Sequence, residues 1–173
     1  KVVDLFEQLC GARLTYNYVR PGGVSFDLPE GWVEQCRAFI GRHPGRMAEL
    51  DRLLFANVIA RQRLRGIGVL SASDAVAWGC TGPVARGSGI LWDLRVHDSY
   101  SVYPRFDFEV PVGEAGDCFD RARVRLYECI ESCRIVGQAL DQIEPGPIKA
   151  DGLPRLLAPR AGDAYDHIES ARG

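Results

Sequence analysis

Apolar residues recur at helical spacing in three stretches of the chain. From Val2 to Leu9 they repeat every three or four positions and stop before Gly11, which predicts a short amphipathic helix that ends there. A second set runs from Trp32 to Ile59 across His43-Pro44-Gly45, and it predicts one or two long helices through about residue 63. We expect this helical stretch to start with Asp27 as N-cap and Pro29 in the first turn.

The third stretch carries the strongest helical pattern. A broad apolar stripe runs from Asp117 to about Ile143, with charged residues such as Arg121, Arg123 and Arg125 on the opposite face. Pro145-Gly146-Pro147 should terminate this helix. We interpret the three arginines as a solvated face with ion pairs rather than as a binding patch.

Between these helices, residues 64–113 show shorter patterns. Gly66 to Leu70 predicts a short strand, and Ser71 or Ser73 should cap a short helix that ends at Gly79. Apolar and acidic residues then alternate from Phe106 to Val110, which predicts a strand with one buried face.

The stretch from Gly79 to Arg95 contains four glycines, a proline and a tryptophan, a composition that suits neither a regular helix nor an ordinary strand. Its apolar residues should hold Arg86, Asp93 and Arg95 on a tightly packed crossing of the chain. Two interpretations stay open from residue types alone: a structural turn with an internal Arg/Asp pair, or a functional centre.

Together these elements predict a mainly α fold with small β elements, an α+β class in a single domain. Residues 1–63 would hold helices and the Arg20-Pro21-Gly22-Gly23 turn, 64–113 a small β region, 114–146 a long helix and 147–173 an extended tail. The chain opens inside a predicted helix without an initiator Met, and we expect it to be a fragment of a longer protein.

Composition narrows the functional classes. With 173 residues, 46% of them hydrophobic, and a net charge of −2, the chain has no overall charge that would favour nucleic acid or an anionic membrane surface. No apolar run is long enough to span a bilayer, and the first residues lack the apolar segment of a signal peptide.

The motifs of common catalytic and cofactor sites are absent. Six cysteines occur without a C-x-x-C pair, and three histidines cannot complete a metal site, so we expect small buried thiols and no metal. The sequence lacks the glycine motifs of nucleotide and dinucleotide sites, and Ser88 has no neighbouring His to act as base. We therefore expect no catalytic residue and no nicotinamide cofactor bound by this segment.

Several short segments carry a resemblance that covers nearly the whole chain. They are Gly11-Ala12-Arg13, Arg20-Pro21-Gly22-Gly23-Val24, Asp27-Leu28-Pro29, Gly82-Pro83, Arg86-Gly87-Ser88-Gly89-Ile90, Trp92-Asp93-Leu94-Arg95, Val110-Pro111-Val112-Gly113, Gly116-Asp117-Cys118, Asp120-Arg121 and Pro145-Gly146-Pro147. In order and spacing they resemble the family that joins the hydrogenase-like subunit of NADH-quinone oxidoreductase, in respiratory complex I, to the large subunits of membrane-bound nickel-iron hydrogenases.

The resemblance implies a hydrogenase-like bundle of long helices docked on a small iron-sulfur subunit. It implies a part in forming the quinone pocket of a complex I-type enzyme, with a 4Fe-4S cluster in the partner subunit and NAD(H) used by the whole complex. Other subunits of the peripheral arm would be direct partners, and the membrane arm would be an indirect partner. The chain would lie at the cytoplasmic face of the inner (plasma) membrane. The isolated segment would be inactive.

The resemblance also assigns expected roles to individual residues. Arg20 resembles the family arginine near the terminal iron-sulfur cluster, and Arg13 and Thr15 are expected to support the same region. Thr15 stands where the complex I pattern has a His, and the tail after Pro147 is short. Both departures resemble the hydrogenase branch, whereas Arg20-Pro21-Gly22-Gly23 and Trp92-Asp93-Leu94-Arg95 resemble complex I.

Three hypotheses follow from the sequence. The first is a quinone-pocket segment of complex I. The alternatives are a fragment of a nickel-iron hydrogenase large subunit or an F420-dependent relative, and a non-catalytic assembly module. In the first hypothesis Arg86, Asp93 and Arg95 fix the scaffold rather than take part in chemistry.

Overall fold

Helices make up most of the regular structure in the computed structural model, which describes residues 1–154, 158 and 160–170. The α-helices are α1 (Val2–Cys10), α2 (Trp32–Leu50), α3 (Val58–Leu64), α4 (Ala72–Ala77), α5 (Gly82–Gly87), α6 (Leu94–His97) and α7 (Cys118–Gln142). A π-helical turn (Asp51–Phe55) joins α2 to α3, and a 3-10 turn (Tyr103–Arg105) follows α6. Within the described ranges, the sheet consists of β1 (Val19–Arg20) and β2 (Gly23–Val24). The predicted mainly α fold with small β elements is confirmed.

The chain divides into two compact units. The first comprises residues 1–41 and 140–165, and the second comprises residues 42–139 and the segment from Asp166 onward. The parts of the predicted tail at 155–157, 159 and 171–173 lie outside the described residues, and the described part of residues 147–170 contains no helix.

The core of the first unit forms around Leu5, Cys36 and Leu140, with Trp32 and Phe39 packed against it. The indole N–H of Trp32 donates to the carbonyl of Leu5 at 3.0 Å, which fixes α1 against the start of α2. As predicted, α1 ends at Gly11, whose φ of 71° is the left-handed conformation that glycine adopts without steric cost.

The core of the second unit forms around Met47, Phe55, Phe119 and Leu126. Phe55 and Phe119 meet edge to face with ring centroids 5.2 Å apart, a favoured aromatic geometry. The π-helical turn is therefore held from its inner side, through Phe55.

The predicted start of the second helix was wrong. α2 begins at Trp32, after Gly31 with a φ of 74°, and the Asp27 carboxylate accepts a hydrogen bond from the adjacent Leu28 N–H instead of capping a helix. Pro44 lies inside α2, and the helix continues through it.

Both strands predicted within residues 64–113 were also wrong, and for the same physical reason. The Ile67 carbonyl accepts from Cys118 N–H at 3.0 Å, and the Leu70 N–H donates to Gly116, so this segment binds the start of α7. The Arg121 guanidinium also donates to the carbonyls of Gly116 and Gly68. Since these backbone groups are already used, no strand partner is needed.

Residues 106–110 are extended, but they pair with side chains of α7. The Asp107 N–H donates to the Gln138 side chain at 2.8 Å, and the Glu109 N–H donates to the Glu131 carboxylate at 2.9 Å. Alternation of apolar and acidic residues therefore indicated the more buried face correctly, but this face is only partly buried and its partner is a helix rather than a strand.

The glycine-rich stretch also differs from the expectation that it avoids regular structure. Gly82–Gly87 forms α5, with Pro83 in its first turn, and Asp93 is the N-cap of α6, accepting from Arg95 N–H. The capping prediction for Ser71 is confirmed, because its hydroxyl accepts from Asp74 N–H at the start of α4.

Candidate functional site

The β1–β2 hairpin of the first unit positions the candidate residue Arg20. Val19 pairs with Val24 and Arg20 with Gly23 in antiparallel register. The 148–150 segment runs beside the hairpin, because Val24 N–H donates to Ile148 at 2.9 Å and Ala150 N–H donates to Gly22 at 2.8 Å. A Cβ on Gly23 would overlap the Ile148 carbonyl oxygen, so this approach requires glycine.

An open depression of about 700 Å³ lies at this hairpin. Its described lining residues are Cys10, Asn17, Arg20, Pro21, Ser25, Phe26, Lys149, Leu153 and Pro154. Arg20 and Lys149 contribute two positive charges to the depression, and none of the described lining residues is acidic. The depression is therefore suited to a negatively charged partner.

The Arg20 side chain is exposed and only partly used. Its Nε donates to the Ser25 hydroxyl at 3.1 Å, and that hydroxyl donates to the Asn17 carbonyl. Among the described residues, the two terminal nitrogens of Arg20 have no hydrogen-bond partner. They remain available to an outside acceptor.

Arg13 is in a different situation. Its Nη1 binds the Glu7 carboxylate at 2.8 Å and its Nη2 binds the Asp4 carboxylate at 3.1 Å, both on α1. All three side chains are largely exposed, so these pairs add little stability, but they balance the charge of Arg13.

Thr15 lies in the loop between α1 and β1 with a φ of 54°, which is uncommon for a residue with a branched side chain. Its hydroxyl donates to the Leu14 carbonyl at 2.6 Å. Arg13 and Thr15 are not among the described residues that line the depression beside Arg20. The structure thus separates the environment of Arg20 from those of the other two candidates.

An apolar hollow of about 270 Å³ shares Cys10 with this depression. Its other lining residues are Phe6, Leu9, Tyr16, Tyr18 and Val19. The Phe6 and Tyr16 rings stack with centroids 4.3 Å apart, and the Tyr18 hydroxyl donates to the Phe26 carbonyl. The two tyrosines between the arginines therefore anchor the loop and form the wall of the hollow.

The second unit contains a buried ion cluster centred on Arg86, which is 1% exposed. Its Nε donates to Glu128 at 2.7 Å, its Nη2 to Glu169 at 2.9 Å and its Nη1 to the Trp92 carbonyl at 2.9 Å. The carboxylate of Asp93 lies 3.5 Å from Nη1. A buried guanidinium needs such partners, because an uncompensated charge in the interior is strongly unfavourable.

Asp93 joins Arg86 to Arg95. Both oxygens of the fully buried Asp93 carboxylate accept from Arg95, with Nε at 2.9 Å and Nη2 at 2.6 Å. The Arg95 guanidinium also lies over the Phe108 ring, 5.1 Å from its centroid. The two arginines face three carboxylates, and the cluster is therefore not electrically neutral when every group is ionised.

Glu169 brings a distant segment to this cluster. One carboxylate oxygen accepts from Arg86, the other accepts from Leu94 N–H at 3.2 Å, and the Glu169 N–H donates to the Tyr100 hydroxyl at 3.1 Å. His167 lies 2.8 Å from the Asp98 carboxylate. These contacts hold the 166–170 segment against the second unit.

The carboxylates of the cluster differ in their affinity for protons. Burial raises the pKa of Glu128, and the facing Arg86 only partly offsets this effect. Burial also acts on Asp93, but its hydrogen bonds and charge interaction with Arg95 outweigh burial and lower its pKa. Of these two carboxylates, Glu128 is therefore the one whose ionisation this environment opposes.

Several of these groups were missed by sequence reasoning. Glu128 and Glu169 stand 42 and 83 positions from Arg86, and neither belongs to a recognisable motif. Lys149 was also missed, although Ile148-Lys149 directly follows Pro145-Gly146-Pro147. A signal existed only for Asp93 and Arg95, which lie close to Arg86 along the chain.

The cysteines differ in part from the expectation of small buried thiols. All six are free, Cys36 is buried, Cys129 is exposed and the other four are partly buried. In the described part of the chain, no group of three or more His, Cys, Asp or Glu side chains could hold a metal ion.

Among the described helices, none is both long and apolar enough to cross a membrane.

Comparison with known proteins gives one family over the full chain. The family described as the 49 kDa subunit of respiratory-chain NADH dehydrogenase matches residues 1–173.

Individual relatives agree with this match. The chain is 49% identical to an NADH-quinone oxidoreductase subunit of Sorangium cellulosum, over 98% of this chain and 45% of that protein. It is 45% identical to the corresponding subunit of Desulforamulus reducens, over 100% of this chain and 47% of that protein. It is 42% identical to the corresponding subunit of Rickettsia bellii, over 98% of this chain and 43% of that protein. The chain spans less than half the length of these relatives.

Replacing Arg86 with Met should destabilise the protein by about 3–5 kcal/mol, because Glu128 would lose its ion-pair partner inside the cluster and Glu169 would keep only the Leu94 N–H. Denaturant unfolding followed by circular dichroism measures this loss. Arg105→Met is the matched control, since Arg105 is exposed and should change the free energy of unfolding by about 0.5 kcal/mol or less. Equal losses in both variants would contradict the central position of Arg86.

The pKa values of Glu128 and Asp93 should be shifted in opposite directions from their ordinary values. In carbon-13 NMR titrations we expect a pKa for Glu128 above 4.5 and a pKa for Asp93 below 3.8. The raised pKa of Glu128 gives stability that is complete below 4.5 and is lost as pH rises through its folded pKa, whereas the contribution of Asp93 is present above 3.8 and is lost on acidification. Glu128→Gln should remove the first of these pH dependences and retain the second.

Proposed function

This chain belongs to the family of 49 kDa subunits of respiratory-chain NADH dehydrogenase, and we propose that it is the part of such a subunit that docks on an iron-sulfur subunit and helps to form the quinone pocket. The family match over residues 1–173 carries the proposal. It favours the quinone branch over a nickel-iron hydrogenase or F420-dependent enzyme, because the named relatives are NADH-quinone oxidoreductase subunits.

The depression at the hairpin supports the docking role. It presents the positive charges of Arg20 and Lys149 beside apolar side chains such as Phe26 and Leu153. A cysteine-ligated iron-sulfur cluster is an anionic group, and its protein surroundings tune its potential through charge and hydrogen bonds. In this proposal the cluster supplies the electron, and Arg20 supplies positive charge and unused N–H donors near it.

Arg13 and Thr15 have indirect roles in this proposal. The ion pairs of Arg13 with Asp4 and Glu7 tie the loop after α1 back to the helix, and they leave its charge locally balanced. Thr15, with its positive φ, sets the direction of the loop toward Tyr16 and Tyr18. These two residues position the loop, whereas Arg20 acts on the cluster.

The apolar hollow supports a contribution to the quinone pocket. Its wall of Phe6, Leu9, Tyr16, Tyr18 and Val19 is suited to a flat, apolar ring or chain rather than to a charged ligand. At about 270 Å³ it would accept part of a quinone, with the rest of the site supplied by other segments.

At the level of the whole complex, the proposal is electron transfer from NADH to quinone. In this proposal the iron-sulfur cluster and the nicotinamide are bound by other parts of the complex, and the partners of this segment are the iron-sulfur subunit and other subunits of the peripheral arm, on the cytoplasmic face of the membrane. The segment alone is inactive. Arg86, Asp93 and Arg95 hold the second unit together without taking part in the reaction.

Arg20→Met in the full-length subunit, within the assembled complex, should make the potential of the neighbouring cluster more negative. Removing a nearby positive charge favours the oxidised cluster, and a shift on the order of tens of millivolts corresponds to one charge at about 10 Å. A redox titration followed by electron paramagnetic resonance measures this shift.

Arg20→Lys and Arg13→Met are the matched variants. Lysine keeps the charge at position 20 and should retain most of the wild-type potential, and Arg13 is already paired, so its loss should have a smaller effect. A potential unchanged in Arg20→Met, with the cluster fully assembled, would refute the proposed role of Arg20.

A further inference from the structure

The segment that follows α2 exposes an unusual number of large apolar side chains. Leu53 is 60% exposed, Leu54 47%, Val58 64% and Ile59 68%. Isolated exposed apolar residues are common, but these four lie on the π-helical turn and α3, two elements that contact each other. Such a concentration indicates an interaction surface.

The same elements carry positive charge. Arg52, Arg61 and Arg63 are exposed, and among the described residues none of them has an ion-pair partner. We define the α3 surface as these three arginines together with Leu53, Leu54, Val58 and Ile59. The span from Arg52 to Arg63 contains no acidic residue, and Asp51 directly precedes it, so the surface is positive overall.

Helix geometry interleaves the charged and apolar groups of α3. Ile59 and Arg63 are four residues apart and lie on one face of the helix, and Val58 and Arg61, three apart, lie on a neighbouring face. Each exposed apolar side chain thus has an arginine about one turn away. A complementary partner would place carboxylates on both sides of an apolar side chain.

The α3 surface is held rigidly from its inner side. Asn57 caps α3 by accepting from the N–H groups of Ile59 and Ala60, and Phe55 packs edge to face on Phe119. The Arg65 guanidinium lies 4.5 Å from the centroid of the Phe119 ring and fixes the end of α3. A surface that is already ordered loses little conformational entropy on binding.

We propose that the α3 surface docks an acidic segment of another protein subunit, with an apolar side chain seated among Leu53, Leu54, Val58 and Ile59 and carboxylates on Arg61 and Arg63. The proposal rests on the proposed function, which makes this chain part of a multisubunit complex. Arginine and apolar side chains together are typical of protein interfaces.

Charge and composition favour a protein over a lipid surface. The exposed apolar residues are spread over a π-helical turn and a short helix, whereas a membrane-bound helix carries them along one continuous face. Residues 50–69 include no Trp or Tyr, the aromatic residues that are enriched at a bilayer surface. The exposed Val76 and Trp78 near α4 lie close to the acidic Asp74, so this other exposed apolar patch does not share the positive charge of the α3 surface.

The test is site-specific photocrosslinking in the assembled complex. A photoreactive amino acid replaces Val58 in the full-length subunit, and mass spectrometry identifies the crosslinked residues. We expect them in an Asp- and Glu-rich segment of another subunit. The double variant Arg61→Glu/Arg63→Glu should lower the crosslink yield roughly tenfold, because like charges would then oppose each other.

Three controls make the outcome specific. Arg61→Lys/Arg63→Lys keeps both charges and should retain most of the yield, and Arg105→Glu, a reversal at another exposed arginine of the same unit, should leave it unchanged. Replacing the crosslinked acidic residues by Lys should restore the yield of the Glu variant. Circular dichroism checks that each variant remains folded.

Crosslinks confined to the same polypeptide, crosslinks to lipid, or a yield that ignores the charge reversal would each overturn the proposal. Failure of the proposed function gives a different result, because the unmodified subunit would then not copurify with an iron-sulfur subunit. Normal copurification without the expected crosslink therefore refutes the α3 docking proposal alone.

Discussion

The second unit depends on one buried guanidinium. Arg86 reaches Glu128 on α7, the carbonyl of Trp92 before α6, and Glu169 in the last described segment. A charge that is 1% exposed must satisfy its donors within the protein, so it fixes all three segments in one arrangement. The absence of a side chain at Gly87 lets Arg121 of α7 approach closely beside it, so this glycine serves the same packing.

The first unit uses its arginines differently. Arg13 is balanced by Asp4 and Glu7, whereas Arg20 shares only one of its nitrogens with Ser25. The charge of Arg13 is balanced within the chain, whereas the charge of Arg20 remains available to a partner. The proposed contact with an anionic cluster therefore centres on Arg20, and the same reasoning assigns the α3 surface to an acidic partner.

Local structure was predictable from the sequence wherever a local signal determined it. The helix ending at Gly11, the Ser71 cap and the long helix before Pro145 were confirmed, since periodicity, caps and breakers act over a few residues. The strands predicted at 66–70 and 106–110 were wrong because their backbone groups bind α7 and its side chains.

The partners of Arg86 were beyond prediction, since Glu128 and Glu169 lie 42 and 83 positions away and no local pattern marks them. Family motifs identified Arg20, but only the fold brought Lys149 beside it.

The most direct test of this account is a double-mutant cycle between Arg86 and Glu169, with Arg86→Met, Glu169→Gln and the double variant compared by denaturant unfolding. A buried, hydrogen-bonded pair at 2.9 Å should show a coupling free energy on the order of 1–3 kcal/mol. Single effects that add to within about 0.5 kcal/mol would mean that the two groups act independently. In that case Arg86 would not be the group that joins the last described segment to the rest of the second unit.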